Sequence, residues 1–139
     1  MTIKVAGMWE LGWSAPITEF DLWDMVIRDF CVDEFYMSPV SGILKQVTEV
    51  PDITDAITAN PNLTVVFVDE HADIPLADFV HPKDALYVFG KAACSAFLCM
   101  KRENDLAVRI ETNSGSVGLL WSHQAAAIVL YDRLVKSWR

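Results

Sequence analysis

The chain has 139 residues, of which 53% are apolar, so it can bury one sizeable core and is not intrinsically disordered. No apolar run reaches the ~18 residues of a membrane-spanning helix, and the N-terminus lacks the pattern of a signal peptide. The formal net charge of -8 argues against an extended nucleic-acid-binding surface, because affinity for phosphates comes largely from Lys and Arg. We therefore expect a soluble, cytoplasmic protein with a single domain over residues 1–139.

A strand and then a helix are predicted at the start of the chain. Ile3–Met8 alternates weakly in polarity and is followed by turn-forming residues, as expected of a strand that ends in a loop. Beyond this loop, apolar residues recur at helical spacing and give a helix one buried face. These residues are Phe20, Trp23, Ile27 and Phe30. Thr18 is the predicted N-cap, and Arg28 lies off the buried face.

A second strand and two short helices are predicted next. Phe35–Met37 is apolar and aromatic, and Ser38-Pro39 would end the strand because proline cannot donate to the ladder. Pro51 separates the two helices, and Asp52 would cap the second one. Their apolar positions are Ile43, Leu44 and Val47 in the first helix, and Ile53 and Ile57 in the second.

Three further strands are predicted in the second half of the chain. Leu63–Val68 is a continuous apolar and β-branched run, which is typical of the centre of a parallel sheet. Ala85–Phe89 is the next strand, ended by Gly90, and Leu106–Ile110 is the last. Short turns are predicted at Pro75–Phe79 and at Asn113–Ser116. The alternation of strands and helices predicts an α/β fold with a mostly parallel sheet flanked by helices.

The last predicted helix lies in Leu119–Tyr131, which reads Leu-Leu-Trp-Ser-His-Gln-Ala-Ala-Ala-Ile-Val-Leu-Tyr. Ala125–Tyr131 is apolar on every side, so we expect this helix to be buried all round. Cations follow it, and the helix is expected to emerge into solvent there, where the macrodipole favours positive charge. A ligand crevice is expected in the loops after Val68, Phe89 and Ile110, at the carboxyl ends of the strands.

Several residue clusters invite a more specific interpretation, but each also has a simpler one. Asp69–Asp73 contains three acidic residues and a histidine, which suits either a metal site or an acidic turn. We favour the turn, because no supporting ligand cluster appears elsewhere. The cysteines, at positions 31, 94 and 99, lack metal-type spacing and are expected to be core thiols. Two groups of cations could form a local RNA-binding patch or be scattered solvated charges: Lys101, Arg102 and Arg109, and Arg133, Lys136 and Arg139.

Three features of the second half resemble one protein family. A strand ending in Val-x-Gly, a later isoleucine before a Gly-containing loop, and the Ala-Ala-Ala-Ile-Val-Leu-Tyr helix are similar to the C-terminal half of the SpoU-type RNA methyltransferases of the SPOUT superfamily. The resemblance implies a SPOUT-like α/β trefoil knot and a homodimer formed through the first and last helices. It also implies that backbone groups of the loops after the strands hold S-adenosylmethionine.

The resemblance assigns a set of cofactor-binding residues. Gly90 matches the glycine that ends the family's strand, and Ile110 matches the isoleucine of its Ile-Pro motif. Leu119 and Leu120 occupy the first two places of its Ser-Leu-Asn motif. With the residues that end the neighbouring strands, the set is Val68, Phe89, Gly90, Ile110, Leu119 and Leu120.

The chain departs from the family at its motif side chains. Gly90 is followed by Lys-Ala-Ala-Cys-Ser, without the family's acidic residue and second glycine. Glu111 replaces the proline after the isoleucine, Trp121 replaces the asparagine, and His123 stands where the family has a serine. Main-chain contacts to a cofactor would survive such changes, because they need no particular side chain.

Two residues are candidates for catalysis, the first from the resemblance and the second from its chemistry. Arg28 is the nearest candidate for the family's catalytic arginine, and a neutral His123 could accept a proton from a ribose 2′-hydroxyl. The simpler explanation of His123 is a helix-start histidine bonded to backbone. Trp121 could stack on a base or fill a dimer interface. Two functions stay open: an S-adenosylmethionine-dependent RNA (tRNA or rRNA) ribose 2′-O-methyltransferase, or a catalytically inactive SPOUT-fold dimer that acts as a binding module; neither requires a metal.

Overall fold

The described residues form strands and helices in the mixed order that the sequence predicts. This computed structural model describes residues 1–10, 15–90, 99–113 and 120–138. The strands are β1 (Thr2–Met8), β2 (Glu34–Ser38), β3 (Thr48–Glu49), β4 (Thr64–Val68), β5 (Ile74–Pro75), β6 (Asp84–Phe89) and β7 (Leu106–Arg109). The α-helices are α1 (Pro16–Asp29), α2 (Ile53–Thr58) and α3 (Ser122–Ser137), and a short 3₁₀ turn covers Leu76–Asp78.

The strands of the described residues form one sheet in which every pair is parallel. Its order is β3-β2-β1-β6-β4-β7-β5. The helices α1 and α3 pack against one face of this sheet and α2 against the other, which confirms the predicted α/β fold. Because all strands run in the same direction, their last residues lie along one side of the sheet, which we call the carboxyl edge.

Helix α1 begins earlier than the sequence predicts. Pro16 is its first residue and Ala15 its N-cap, so the prediction that Thr18 caps the helix is wrong. Proline suits the first position, because its fixed φ is helical and the missing N–H would be unpaired there anyway. The predicted apolar face is confirmed, since Phe20 and Trp23 are buried against the sheet.

Of the two helices predicted after β2, the prediction of the first is wrong. The segment is held instead by Glu49, whose carboxylate accepts backbone hydrogen bonds from Ser41, Gly42 and Ile43 at 2.8 to 3.0 Å. These bonds satisfy N–H groups that a helix would otherwise pair. Glu49 itself lies in β3, which extends the sheet beside β2. The second predicted helix is confirmed as α2, with Asp52 accepting from the Thr54 N–H at 2.9 Å.

Helix α3 is apolar on two opposite faces, but one chain buries only one of them. Ala126, Val129 and Leu130 pack into the core, whereas Ile128 and Tyr131 are exposed. The prediction of a helix buried all round is therefore wrong for the single chain.

The described cations in the C-terminal half of α3 do not point into solvent as predicted. Arg133 is buried and donates to the backbone carbonyls of Pro82 and Lys83, at 2.6 and 2.8 Å. Lys136 donates to the carbonyls of Leu76 and Phe79. These cations anchor the helix to the segment before β6.

The prediction of core thiols is wrong for two cysteines. Cys31 and Cys99 are exposed, and Cys94 lies outside the described residues. Cys31 follows the end of α1 with a φ of 52°, a left-handed position that turns the chain towards β2 and leaves the side chain outside. Among the described residues, no helix is both long and apolar enough to cross a membrane.

Candidate functional site

The carboxyl edge brings four predicted cofactor-binding residues together. Val68, at the end of β4, lies opposite Phe89 of β6 on one side and opposite Val108 of β7 on the other. Gly90 and Ile110 directly follow these two neighbouring strands. The loops after β4, β6 and β7 therefore start side by side, as the sequence predicts for a ligand crevice.

The start of α3 is attached to this edge. The Ser122 hydroxyl donates a short hydrogen bond to the Gly90 carbonyl, which joins the first turn of the helix to the end of β6. The Trp121 N–H donates to the side chain of Gln124 at 2.9 Å, so the helix start is capped locally. Leu120 therefore lies just before the helix start that is bonded to the edge. Leu119 lies outside the described residues, and so does most of the turn predicted at Asn113–Ser116.

His123 lies in the first turn of α3, between two tryptophans. Its ring centroid is 6.4 Å from that of Trp23 and 5.9 Å from that of Trp121, and both pairs meet edge to face. Within the described residues the imidazole has no hydrogen-bond partner, so the backbone bond considered from the sequence is not found. Burial lowers the pKa of His123 below the ordinary value of 6.5, and the ring is therefore neutral at pH 7.

Trp23 connects α1 to the site through its contact with His123. It is fully buried, and its ring lies 5.0 Å from that of Phe35 and 6.1 Å from that of Phe89, measured between centroids. Gly7 of β1 makes room for it, since a Cβ there would come within 3.0 Å of the Trp23 ring. The sequence identifies Trp23 only as a core residue, because helical spacing does not say which side chain it would touch.

The turn after β4 is an acidic turn, as predicted. The Asp69 carboxylate accepts from the His71 N–H at 2.8 Å, and the Asp69 carbonyl accepts from the Ala72 N–H at 3.1 Å. Arg109 donates to the carbonyls of Ala72 and Asp73 at 3.0 and 2.6 Å, which fixes the turn to β7. In the part of the chain that the structure describes, no group of His, Cys, Asp or Glu side chains could hold a metal ion.

Asp69 also lies at this edge, and sequence reasoning considered it only as part of a metal site or an acidic turn. Its side chain is buried, and in the part of the chain that the structure describes its second carboxylate oxygen, Oδ2, has no hydrogen-bond partner. The sequence signal was only its place directly after a buried strand, which does not distinguish a buried carboxylate from a solvated one.

Arg28 is not brought to the carboxyl edge within one chain. Helix α1 returns from the end of β1 to the start of β2, and Arg28 lies in its last turn, near the opposite side of the sheet. The side chain is 73% exposed and pairs with Asp24 at 2.8 Å. His123 and Arg28 therefore do not meet in the single chain.

The two cation groups suggested for RNA binding are mostly engaged in internal contacts. Arg133 and Lys136 anchor α3, and Arg139 lies outside the described residues. Arg102 pairs with Asp105 at 2.9 Å, and Arg109 holds the acidic turn. Among the described residues of these groups, Arg109, Arg133 and Lys136 are therefore engaged internally, whereas Lys101 and Arg102 are exposed.

No protein-family model and no curated protein sequence matches the chain. Solved structures do match. An RNA 2′-O ribose methyltransferase superposes with a TM-score of 0.76 at 14% identity, over 99% of this chain and 57% of that one. The SpoU methyltransferase AviRb from Streptomyces viridochromogenes gives 0.75 at 17% identity, over 99% and 61%. A protein solved for "2-OH methylation of C/U34 on tRNA" gives 0.73 at 9% identity, over 100% and 93%.

Similarity at these sequence identities shows the fold but not the reaction, which has to be argued from the residues of the site. The chain spans about three fifths of the length of the first two proteins, at 57% and 61%. AviRb has also been solved in complex with the cofactor AdoMet. The trefoil knot stays a prediction. The parallel sheet with helices on both faces has the fold of the SpoU-type RNA methyltransferases.

Proposed function

We propose that the protein is an S-adenosylmethionine-dependent RNA ribose 2′-O-methyltransferase with a single domain over residues 1–139. The observation that supports it most is the hydrogen bond from Ser122 to the Gly90 carbonyl, which closes the last helix onto the carboxyl edge. The reaction class comes from the structural neighbours, which include an RNA 2′-O ribose methyltransferase and a protein solved for methylation of tRNA.

The residues at the carboxyl edge suit a cofactor of this kind. Val68, Phe89, Gly90, Ile110 and Leu120, together with Leu119, would hold it through main-chain groups and apolar side chains. The buried, unpaired oxygen of Asp69 at the same edge suits a ligand that carries N–H or O–H donors. When bound, S-adenosylmethionine supplies an activated methyl group.

We assign the proton transfer to His123. A neutral imidazole can accept the proton of a ribose 2′-hydroxyl, and burial keeps the pKa of His123 low enough for the neutral form to dominate at pH 7. The edge-on contacts with Trp23 and Trp121 fix the plane of the ring. A protein that holds its base in one orientation avoids part of the entropic cost of positioning the substrate.

Arg28 is assigned a contact with an RNA phosphate. Its exposed pair with Asp24 contributes less than about 1 kcal/mol, so the guanidinium can exchange this partner for a phosphate at little cost. Because Arg28 lies away from His123 within one chain, this contact would orient the RNA and leave the reacting atoms to other residues.

We further propose a homodimer formed by α1 and α3 and a cytoplasmic location. The exposed apolar residues of these helices support the dimer. A dimer would also let two chains present their few free cations to one RNA, which matters because the protein is acidic.

Calorimetric titration of the purified protein with S-adenosylmethionine tests the proposal. We expect saturable heat and a raised unfolding temperature, because ligand at about 100 times Kd adds about 2.7 kcal/mol of stability. Radiolabelled methyl transfer to bulk tRNA and rRNA, followed by nuclease digestion, should then yield a 2′-O-methylated nucleoside. Absence of both heat and thermal stabilisation at millimolar ligand would contradict the proposal, and binding without transfer would favour the non-catalytic binding module.

A further inference from the structure

Asp69 carries a buried carboxylate oxygen that the fold leaves unused. The residue is 5% exposed and directly follows β4, at the centre of the carboxyl edge. Its Oδ1 accepts from the His71 N–H at 2.8 Å, whereas Oδ2 has no hydrogen-bond partner among the described residues. A buried acceptor without a donor destabilises the folded protein, so its presence at the carboxyl edge requires an explanation.

The turn does not need Oδ2. It is closed by Oδ1 and by the bond from the Ala72 N–H to the Asp69 carbonyl at 3.1 Å. The nearby cation, Arg109, donates to the carbonyls of Ala72 and Asp73 and pairs with Glu111, rather than with Asp69. A neutral side chain such as asparagine could therefore serve the turn equally well.

The position of Asp69 points to a ligand. Its backbone N–H donates to the Val108 carbonyl at 3.0 Å, which holds it between the ends of β6 and β7 and one residue beyond Val68. We propose that Asp69 is a specificity-determining residue whose Oδ2 accepts a hydrogen bond from an N–H or O–H donor of the cofactor. This inference rests on the proposed function and assigns Asp69 to the same crevice.

The donor has a defined chemical class. S-adenosylmethionine carries ribose hydroxyls, an adenine amino group and an α-ammonium group, and each can donate to a carboxylate. A hydrogen bond that involves a charged partner is stronger than a neutral one, so its loss should be easy to measure.

The variant Asp69→Asn tests this role. Asparagine keeps the oxygen that accepts from His71 and replaces Oδ2 with an amino group, so a donor on the ligand would meet another donor. We expect the affinity for S-adenosylmethionine to fall roughly 10- to 100-fold by calorimetry. The unfolding temperature of the ligand-free variant should stay close to that of the wild type, because asparagine keeps the hydrogen bond that closes the turn.

Asp73→Asn is the matched control, since it changes the same charge at an exposed position of the same turn and should bind like the wild type. A parallel titration with 5′-methylthioadenosine, which lacks the amino-acid part, locates the donor. If the loss in Asp69→Asn persists with this ligand, the donor is on the adenosine; if it vanishes, the donor is the ammonium.

Three results would overturn the inference. Equal affinity of Asp69→Asn and wild type for S-adenosylmethionine would show that Asp69 does not bond the cofactor, and it would leave the proposed function intact. Loss of binding together with a lowered unfolding temperature would show that the carboxylate is structural. A wild-type protein that binds neither S-adenosylmethionine nor S-adenosylhomocysteine would remove the inference and the proposed function together.

Discussion

The surroundings of His123 keep its imidazole neutral and restrict its orientation, although no hydrogen bond from the described residues holds it. Edge-on contacts with Trp23 and Trp121 restrict the ring, and burial lowers its pKa below 6.5. A lowered pKa makes the imidazole available as a proton acceptor at pH 7 but also makes it a weaker base. The proposed reaction therefore depends on position more than on base strength.

We predict that methyl transfer rises with pH and reaches half its maximum below pH 6.5, because only neutral His123 accepts a proton. His123→Ala should lower turnover by about 100-fold or more and leave cofactor affinity within a few-fold. Initial rates measured across pH with saturating RNA check both statements. His71→Ala, at an exposed histidine, is the control and should keep the wild-type profile. An unchanged rate in His123→Ala would show that another group accepts the proton.

Part of the site could be predicted from single residues, and the reason lies in the strands. Val68, Phe89 and Ile110 end or follow apolar runs, and parallel strands bring their ends together whatever the loops contain. The burial of Asp69 could not be predicted, because it depends on how its turn packs on β7. The burial of Arg133 could not be predicted either, because its carbonyl partners, Pro82 and Lys83, lie 51 and 50 residues away in sequence.

Helix α3 is held at its C-terminal half by a buried polar network centred on His81. The groups that face His81 are Tyr87 of β6 and Asp132, Arg133 and Lys136 of α3, with the Phe79 ring against it. The His81 Nε2 lies 2.7 Å from the Asp132 carboxylate, and Nδ1 lies 2.8 Å from the Tyr87 hydroxyl.

One proton arrangement satisfies every member of this network. Nε2–H donates to Asp132, and the Tyr87 hydroxyl donates to Nδ1 while accepting from Arg133 at 2.9 Å. Burial raises the pKa of Tyr87, so this hydroxyl keeps its proton. Burial also lowers the pKa of His81, against the opposing effect of Asp132, and the ring is neutral at pH 7. Protonated His81 would present a second donor to Tyr87 and add a cation beside Arg133 and Lys136.

We predict that the free energy of unfolding falls as the pH drops below 6.5, the ordinary pKa of histidine. The folded pKa of His81 lies below this value, so the unfolded chain binds the proton first, and the stability present above pH 6.5 is lost towards the folded pKa. Urea unfolding between about pH 7.5 and about pH 5 measures the loss. Because His123 contributes with the same sign, a variant is needed to isolate His81.

His81→Gln separates the contribution of His81 from that of His123. Its amide can donate to Asp132 and accept from Tyr87 without titrating, so we expect stability near the wild-type value at pH 7.5 and a smaller loss in acid. His71→Gln, at an exposed position, should retain the wild-type pH dependence. A variant His81→Gln that loses as much stability in acid as the wild type would contradict the assignment.

The elements differ in how well the sequence predicts them. The strands β4 and β6 are continuous apolar runs, and α2 carries its own cap in Asp52, so local pattern was sufficient. The helix wrongly predicted at Ile43–Val47 had suitable apolar spacing. Its backbone is instead bonded by Glu49, and a carboxylate that collects N–H groups from an irregular loop has no periodic signature in the sequence.

At the scale of the whole molecule, the net charge and the exposed apolar surface constrain how the protein could meet RNA. The charge of -8 and the internal use of Arg133 and Arg109 leave one chain with little positive surface. An exposed apolar stripe runs along α3 opposite its buried side, and α1, which packs beside it, also exposes apolar residues. These exposed residues are Ile128, Tyr131 and Leu134 on α3, Trp138 directly after it, and Ile17, Leu22 and Met25 on α1.

We predict that the wild-type protein is a dimer in solution and that Tyr131→Glu converts it to a monomer. Tyr131 is 56% exposed in the single chain and lies in the middle of the outer stripe of α3, where a buried carboxylate would have no partner. Sedimentation velocity over a range of protein concentrations measures the change. Because dimer formation stabilises the folded state by mass action, the unfolding temperature of the wild type should also rise with concentration, whereas that of the variant should not.

The matched control for this prediction is Leu44→Glu. Leu44 is 96% exposed and lies outside both helices, so the same charge at an equally apolar position should leave the dimer intact. A stable dimer buries about 1,200 to 2,000 Å² in total, which requires residues of both α1 and α3 rather than Tyr131 alone. Met25→Glu, on α1, should therefore weaken the dimer as well. A wild-type protein that stays monomeric at all concentrations, or a variant Tyr131→Glu that still dimerises, would contradict an interface made by these two helices.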